Sequence, residues 1–239
     1  PMVSKLNNIN VKFVDCNKND LCISFDDLKK KIKEHNPKAI WVVHIGGHIS
    51  FEIEKISEYC KKNKIILIED CAHAHGATYN EKKPGSWGDA GIYSLYATKT
   101  ISSGEGGILV SNNQDLIDFA KRYKNYGKPE GKILGKNFRM SEFTAALGCV
   151  QINRLKDIVE WKNNYVDKNK SKYTNYLRLP ENMISGYYKF IVFDKIEKST
   201  GKVYDIGCHK IFKEKIDLPN TDWVNNNHWC VPLYYKGEN

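Results

Sequence analysis

Arginine is scarce in this chain. It occurs four times, at 122, 139, 154 and 178, although the net charge is +9. Base readout and bidentate phosphate recognition lean on arginine. The lysines that carry the excess charge are scattered among Asn, Ile and Glu, so no nucleic-acid partner is expected. Paired cysteines are also missing. The seven thiols, at 16, 22, 60, 71, 149, 208 and 230, are odd in number and contain no CxxC pair. That argues against a disulfide framework and against a structural zinc or iron–sulfur site. No apolar run approaches the roughly 18 residues of a membrane helix, and no charged-then-apolar leader opens the chain. A cytoplasmic protein with reduced thiols and no membrane partner is the expectation. A nucleotide-binding glycine fingerprint is absent after every early strand. Gly104-Glu105-Gly106-Gly107 lacks the Lys-Ser/Thr ending of a P-loop and reads as a tight turn into a strand.

What is present is ordinary globular material, 41% hydrophobic and 12% aromatic, enough to pack a core across 239 residues. Short apolar runs alternate with amphipathic stretches. Strands are predicted at Val11–Val14, Ala39–Val43, Ile65–Ile68, Ile92–Tyr96 and Ile108–Val110. Helices are predicted over 24–34, 51–62, 114–123 and 141–163. Ser24 is a plausible N-cap, followed by Asp26 and Asp27 and later by lysines, as the helix dipole prefers. The β-α-β rhythm implies an α/β fold with a mostly parallel sheet. Phe143, Leu147 and Val150 read as a helix core face. Beyond about Tyr165 the pattern breaks up, with one further strand predicted over Tyr187–Phe193. The expected division is a large domain over 1–164 and a smaller α+β domain over 165–239.

Ligands gather at the carboxyl ends of parallel strands. Ile65–Ile68 runs into Glu69-Asp70-Cys71-Ala72-His73-Ala74-His75-Gly76, and the strand holding Ser94 runs into Ala97-Thr98-Lys99. If these strands share a sheet, Asp70 and Lys99 emerge at one edge. A carboxylate and a lysine converging there suit pyridoxal phosphate: the lysine joins the aldehyde, and the carboxylate keeps the pyridine nitrogen protonated. A sheet-edge salt bridge fits the spacing equally well. Cys71, His73 and His75 lack a fourth partner and alternate between faces, so no metal is expected. His44 and His48 follow a strand with Gly46-Gly47 between them, which is not helical metal spacing. His44 reads as loop or core packing as readily as a substrate contact. Tyr187-Tyr188 and Tyr234-Tyr235 could line a substrate site, but partly buried surface aromatics are the commoner case.

Several segments together resemble one family. They are Glu69 to Ala77, Gly88-Asp89-Ala90-Gly91, Ser94-Leu95-Tyr96-Ala97-Thr98-Lys99, Gly104-Glu105-Gly106-Gly107, Arg122 to Gly127, and Gly135-Lys136-Asn137-Phe138-Arg139-Met140-Ser141-Glu142. This series is similar to the DegT/DnrJ/EryC1/StrS sugar aminotransferases, from about Val11 to Asn163 and more weakly to Tyr234. The resemblance implies fold type I: a three-layer α/β/α large domain, plus a smaller C-terminal α+β domain. It implies pyridoxal 5'-phosphate as cofactor, with Lys99 as the Schiff-base lysine and proton carrier, and Asp70 on the pyridine nitrogen. His73 would lie near the ring and its phenolic oxygen. Ser94 would bind the phosphate, and Asn137 would reach the phosphate of a neighbouring subunit's cofactor, hence a homodimer.

The implied reaction is transamination of a nucleotide-linked keto-sugar, with glutamate as amino donor, for surface polysaccharide. Dehydratases of the same fold carry His where Lys99 stands, which favours transamination. The family's large domain begins before the point where this chain starts, so truncation at both ends is expected. Weak or absent cofactor binding by the chain alone is expected too. A fragmentary or inactive member that dimerises without turnover is the alternative.

Overall fold

The computed structural model describes residues 2–237. The elements in chain order are α1 (Met2–Leu6), α2 (Phe25–His35), β1 (Ala39–Val43), α3 (Ile53–Lys62), β2 (Ile66–Asp70), β3 (Thr78–Tyr79), β4 (Ala90–Ser94), β5 (Gly107–Val110), α4 (Gln114–Tyr123) and α5 (Glu142–Asn169). A 3-10 turn (Lys170–Lys172) follows, then β6 (Met183–Ile184), β7 (Phe190–Val192), α6 (Cys208–Ile211), α7 (Pro219–Asn226) and β8 (Trp229–Val231).

Local chemistry explains the helix ends. Ser24 Oγ accepts from Asp27 N–H at the start of α2, Asn113 Oδ1 from Leu116 N–H before α4, and Ser141 Oγ from Thr144 N–H before α5. Each fills one of the donors a helix leaves unpaired. Helix α2 ends on Asn36 in a left-handed conformation (φ 44°), where a short polar side chain is tolerated.

The main sheet has order β1-β2-β4-β5. Strands β1, β2 and β4 are parallel, with Val43 beside Asp70 and Asp70 beside Ile92. Strand β5 returns antiparallel to β4: Leu95 N–H is bonded to Gly106 O, and the connection between them folds back as a loop with no helix of its own. The sheet is therefore mixed and mostly parallel, as expected. On one face Ile40, Val42 and Leu67 pack with Leu28 and Ile32 of α2 and with Ile53, Ile56 and Cys60 of α3. The opposite face carries Trp41, Val43 and Ile66, all exposed.

Three predicted features differ. Val11–Val14 joins no ladder: Val14 packs on the core as a loop residue, and the segment leads to the isolated bridge Cys16–Ile23. Tyr187–Phe193 shortens to β7, paired with β8, because Tyr187 is left-handed (φ 39°) and cannot continue a strand. Phe143, Leu147 and Val150 are not a core face. Phe143 is 90% exposed, and the burial in α5 shifts to Ile158, Val159, Lys162 and Val166. The other side of this half of the helix meets the loop before β5, with Gly148 buried beside Leu95, but the row Phe143, Leu147 and Val150 stays exposed.

Helix α5 runs on to Asn169, through the expected boundary near 164. The C-terminal third is tied back to the rest at several points. Val166 packs with Phe190, Val192 and Val231. Strand β3 pairs with β6. Asp15 accepts from the N–H groups of Asn220 and Thr221 at the start of α7, and from the Thr221 hydroxyl.

Candidate functional site

Strands β2 and β4 are adjacent and parallel, so the loops after Asp70 and Ser94 leave the sheet at the same edge. Alternation along β2 separates two neighbouring acids. Glu69 turns into the closed interior and is fully buried, whereas Asp70 lies on the half-open face. Asp70 Oδ1 accepts from Ala72 N–H (3.0 Å) and its carbonyl from His44 N–H (3.0 Å). Oδ2 of Asp70 has no partner among the described residues, and the salt bridge that spacing left open does not form.

Lys99 sits on a loop closed at its base. Leu95 N–H donates to Gly106 O (2.9 Å), Ser103 N–H to Leu95 O (3.0 Å) and Lys99 N–H to Tyr96 O (3.0 Å). Leu95 and Ile101 are buried against Ile158 of α5, so the loop is pinned on both sides of the lysine. Gly104 (φ 86°) and Gly106 (φ 144°) make the tight turn into β5. Ser94 closes β4 and its hydroxyl accepts from Tyr96 N–H (3.2 Å).

His73 and Tyr188 stack face to face, 4.2 Å between centroids and 24° between planes. Lys99 Nζ lies 5.0 Å from the centre of the same Tyr188 ring, and Thr98 Oγ1 is 3.3 Å from the Tyr188 hydroxyl. Tyr188 is thus a member of the cluster rather than a surface aromatic. Its position is built from a distance: Lys189 N–H donates to Gly46 O and Gly186 N–H to Gly47 O, both at 2.8 Å. Gly47 (φ 114°) allows this approach, since a Cβ there would come within 2.3 Å of Tyr188 N. Lys162, almost fully buried, donates to Tyr187 O (2.9 Å). Burial, with the charge of Lys189, pulls the Lys162 pKa down to about 8.

Burial, then the charges of Lys99 and Lys189, lower the His73 pKa to about 3. This imidazole is a neutral, flat group at working pH, and its Nδ1 faces Gly46 N–H at 3.5 Å. His75, one alternate residue on, is buried against Tyr93 (5.3 Å) and burial lowers it to about 4.

Behind this edge lies a pair the sequence pattern did not single out. Glu69 accepts from His44 Nε2 (2.9 Å) and Gly85 N–H (2.8 Å) on one oxygen, and from Trp87 N–H (2.8 Å) and Gly88 N–H (2.7 Å) on the other. His44 Nδ1 accepts from Ser50 N–H (3.1 Å), which fixes the tautomer with the proton on Nε2. Burial alone would raise the Glu69 carboxyl, but His44 and the Gly85 and Gly88 amides outweigh it and hold it below the ordinary range. His44, Glu69 and Cys71 place their donor atoms within 4.8 Å of one another, an arrangement a metal could use. The carboxylate and both ring nitrogens are already engaged, and burial raises the Cys71 thiol far above its usual value. These groups act as a hydrogen-bonded brace for the strand end.

Asn137 lies apart from this cluster, on an exposed segment, where its Oδ1 accepts from Arg139 Nε (3.0 Å). Among the described residues it makes no hydrogen bond or ring contact with Asp70, His73, Ser94 or Lys99.

The residues present suit pyridoxal phosphate. An ammonium without an acidic partner, a carboxylate oxygen without a hydrogen bond and a stacked pair of flat rings meet at one strand edge. The DegT/DnrJ/EryC1/StrS aminotransferase family model matches residues 2–182. GDP-perosamine synthase of Vibrio cholerae is 37% identical over 160 residues, 65% of this chain and 43% of that protein. A UDP-4-amino-4,6-dideoxy-N-acetyl-beta-L-altrosamine transaminase of Campylobacter jejuni is 33% identical over 208 residues, 82% of this chain and 52% of that protein. The chain thus spans about half the length of the curated relatives it matches. Among solved structures, a DegT DnrJ EryC1 StrS aminotransferase from Brucella abortus superposes with a TM-score of 0.89 at 20% identity, over 98% of this chain and 71% of that one. The fold is shared with these sugar aminotransferases, and the chain belongs to the DegT/DnrJ/EryC1/StrS aminotransferase family.

Proposed function

We propose that this chain carries the lysine-bearing part of a pyridoxal-phosphate-dependent transaminase acting on a nucleotide-linked keto-sugar. The observation that carries the reading is Lys99, held on a pinned loop with no acidic partner, at the strand edge where Asp70 presents an unpaired oxygen. The relatives named for amino-sugar formation support the substrate class.

The residues divide the work. Pyridoxal phosphate, when bound, supplies an aldehyde for the lysine and a ring that draws electrons from the substrate carbon. Asp70, whose Oδ2 has no partner among the described residues, would hold the pyridine nitrogen and its proton. Neutral His73 offers a flat face and no competing positive charge. Ser94 contributes a hydroxyl for the phosphate. Lys99 would hold the cofactor through its amine, and its Nζ is the base placed to carry a proton beside it. Lys99 is the one lysine on the 95–106 loop, and its Nζ lies 5.0 Å from the centre of the Tyr188 ring. Glutamate fits as amino donor, and surface polysaccharide as the destination of the product. The cytoplasm fits seven free thiols.

Two copies of the chain are part of the proposal. Asn137 stands on an exposed segment that in sequence leads into the exposed row Phe143, Leu147 and Val150, and we assign it to a second copy's cofactor phosphate. The large domain over 1–164 and the small one over 165–239 remain our division of labour, the first for cofactor and the second for closing over the substrate.

The test is direct: add excess pyridoxal phosphate, reduce with borohydride and map the modified residue by peptide mass. A dominant adduct on Lys99, lost in Lys99→Ala, is expected. Uniform labelling of surface lysines in both proteins would refute the assignment.

A further inference from the structure

The reading above gives no task to one cation of the same cluster. Lys189 directly follows Tyr188, and its Nζ lies 5.4 Å from the centre of the Tyr188 ring, the ring that Lys99 Nζ approaches to 5.0 Å. Lys162 stands behind them. Lys189 is half-buried, and its Nζ lies against the ring that stacks on His73, which keeps its charge beside the site. Among the described residues none of these three lysines forms an ion pair. The Tyr188 ring face offsets the charge of the two lysines beside it only in part, so an anion is favoured there.

The backbone fixes this arrangement. Lys189 N–H is bonded to Gly46 O, and Gly47 lets the 186–189 segment lie against the loop after β1. The lysine is therefore presented by a clamped segment, half-buried, beside a flat ring.

We propose that Lys189 anchors the diphosphate of the nucleotide-linked sugar, with the Tyr188 ring as the wall against which the pyranose packs; this rests on the transaminase reading above. A nucleotide sugar carries its reacting carbonyl at one side of the pyranose ring and its two phosphates at the other. Two lysines beside one aromatic ring match that layout, Lys99 for the carbonyl side and Lys189 for the anionic side. A lysine serves diphosphate well as a point charge and needs no forked geometry.

The experiment is equilibrium binding of UDP and of GDP to the 239-residue chain by calorimetry, with uridine as the phosphate-free control. Saturable, salt-weakened binding of at least one diphosphate is expected. Lys189→Gln should weaken it about tenfold or more, Lys189→Arg should largely restore it, and uridine binding should not depend on residue 189. Matching thermal unfolding of the variants shows that the fold is kept. The Lys99 borohydride adduct should be the same in wild type and Lys189→Gln.

Three results would overturn the proposal: no saturable diphosphate binding by the wild-type chain, equal affinity in Lys189→Gln, or loss of the Lys99 adduct in Lys189→Gln. The last would give the lysine to the cofactor's own phosphate. Failure of the adduct in wild type would refute the transaminase reading while leaving diphosphate binding a separate result.

Discussion

Replacing Glu69 with Gln should cost far more stability than a charge-removing change of one atom suggests. The carboxylate accepts four hydrogen bonds while fully buried, three from backbone amides and one from His44. An amide side chain offers one oxygen, and its NH2 then faces donors rather than acceptors. At least two donors lose their partner, at about 1–3 kcal/mol each. Breaking one side of a buried charged network costs about 3–5 kcal/mol in comparable cases. We take about 4 kcal/mol, a large part of the 5–15 kcal/mol typical of a domain. With a urea slope of about 2–3 kcal/mol/M, the unfolding midpoint should fall by about 1.5 M.

The assay is urea unfolding followed by tryptophan fluorescence, with the exposed Glu58→Gln as a control expected to stay within about 0.5 kcal/mol. Acid behaviour adds a second reading. The folded Glu69 titrates below its unfolded value, so its contribution is complete above the ordinary carboxylate range and drains as pH falls through the lower, folded value. The gap between wild type and Glu69→Gln should therefore narrow on acidification. A loss below about 1 kcal/mol at neutral pH, or a gap that widens in acid, would refute the idea that Glu69 is ionised and braces the turn.

Two further outcomes follow from other burial patterns. Lys162 titrates at about 8 in the folded chain and near 10.4 when unfolded, so stability should climb with pH between those values, by at most about 3 kcal/mol. Lys162→Met should flatten that climb in urea midpoints measured across the window; an unchanged slope would mean that the ammonium is not desolvated. Phe143→Asp changes a side chain that is 90% exposed, so monomer stability should move by less than about 0.5 kcal/mol. Light scattering should nonetheless show fewer dimers than in wild type, and dimers unaffected by the change would exclude this face as the interface.

Much of this could be read from local sequence. Ser24 and Ser141 announce helix starts because a cap needs only a short acceptor and three following residues. The Asp70 and Lys99 segments follow apolar runs, so their placement at one strand edge needed only the β-α-β rule. What could not be read depends on residues far apart in sequence. Tyr188 joins Lys99 only because Gly47, some 140 positions away, leaves room for its backbone. Lys162 lies on a helix whose charges otherwise face solvent, and its burial is decided by the Tyr187 carbonyl. Phe143, Leu147 and Val150 have core spacing, yet spacing cannot say whether the covering surface belongs to the same chain. Glu69 was hidden by the motif itself, since two adjacent acids look alike until the pleat assigns them to opposite faces.

That assignment links the brace to the chemistry. In β2 the side chains of Ile66, Ile68 and Asp70 share one face, and Leu67 and Glu69 the other. The second face is closed by α2 and α3, and there a carboxylate is tolerable only because four donors surround it. The first face is open, and there a carboxylate can keep one oxygen unpaired for a ligand. A slip of one residue in the pairing of β2 with β1 would exchange the two acids, burying the one without donors and exposing the one with them. The four hydrogen bonds to Glu69 thus fix the register that points Asp70 toward the edge where Lys99 and Tyr188 meet. It follows that Glu69 can be essential to the site without touching it, through the orientation of its neighbour alone.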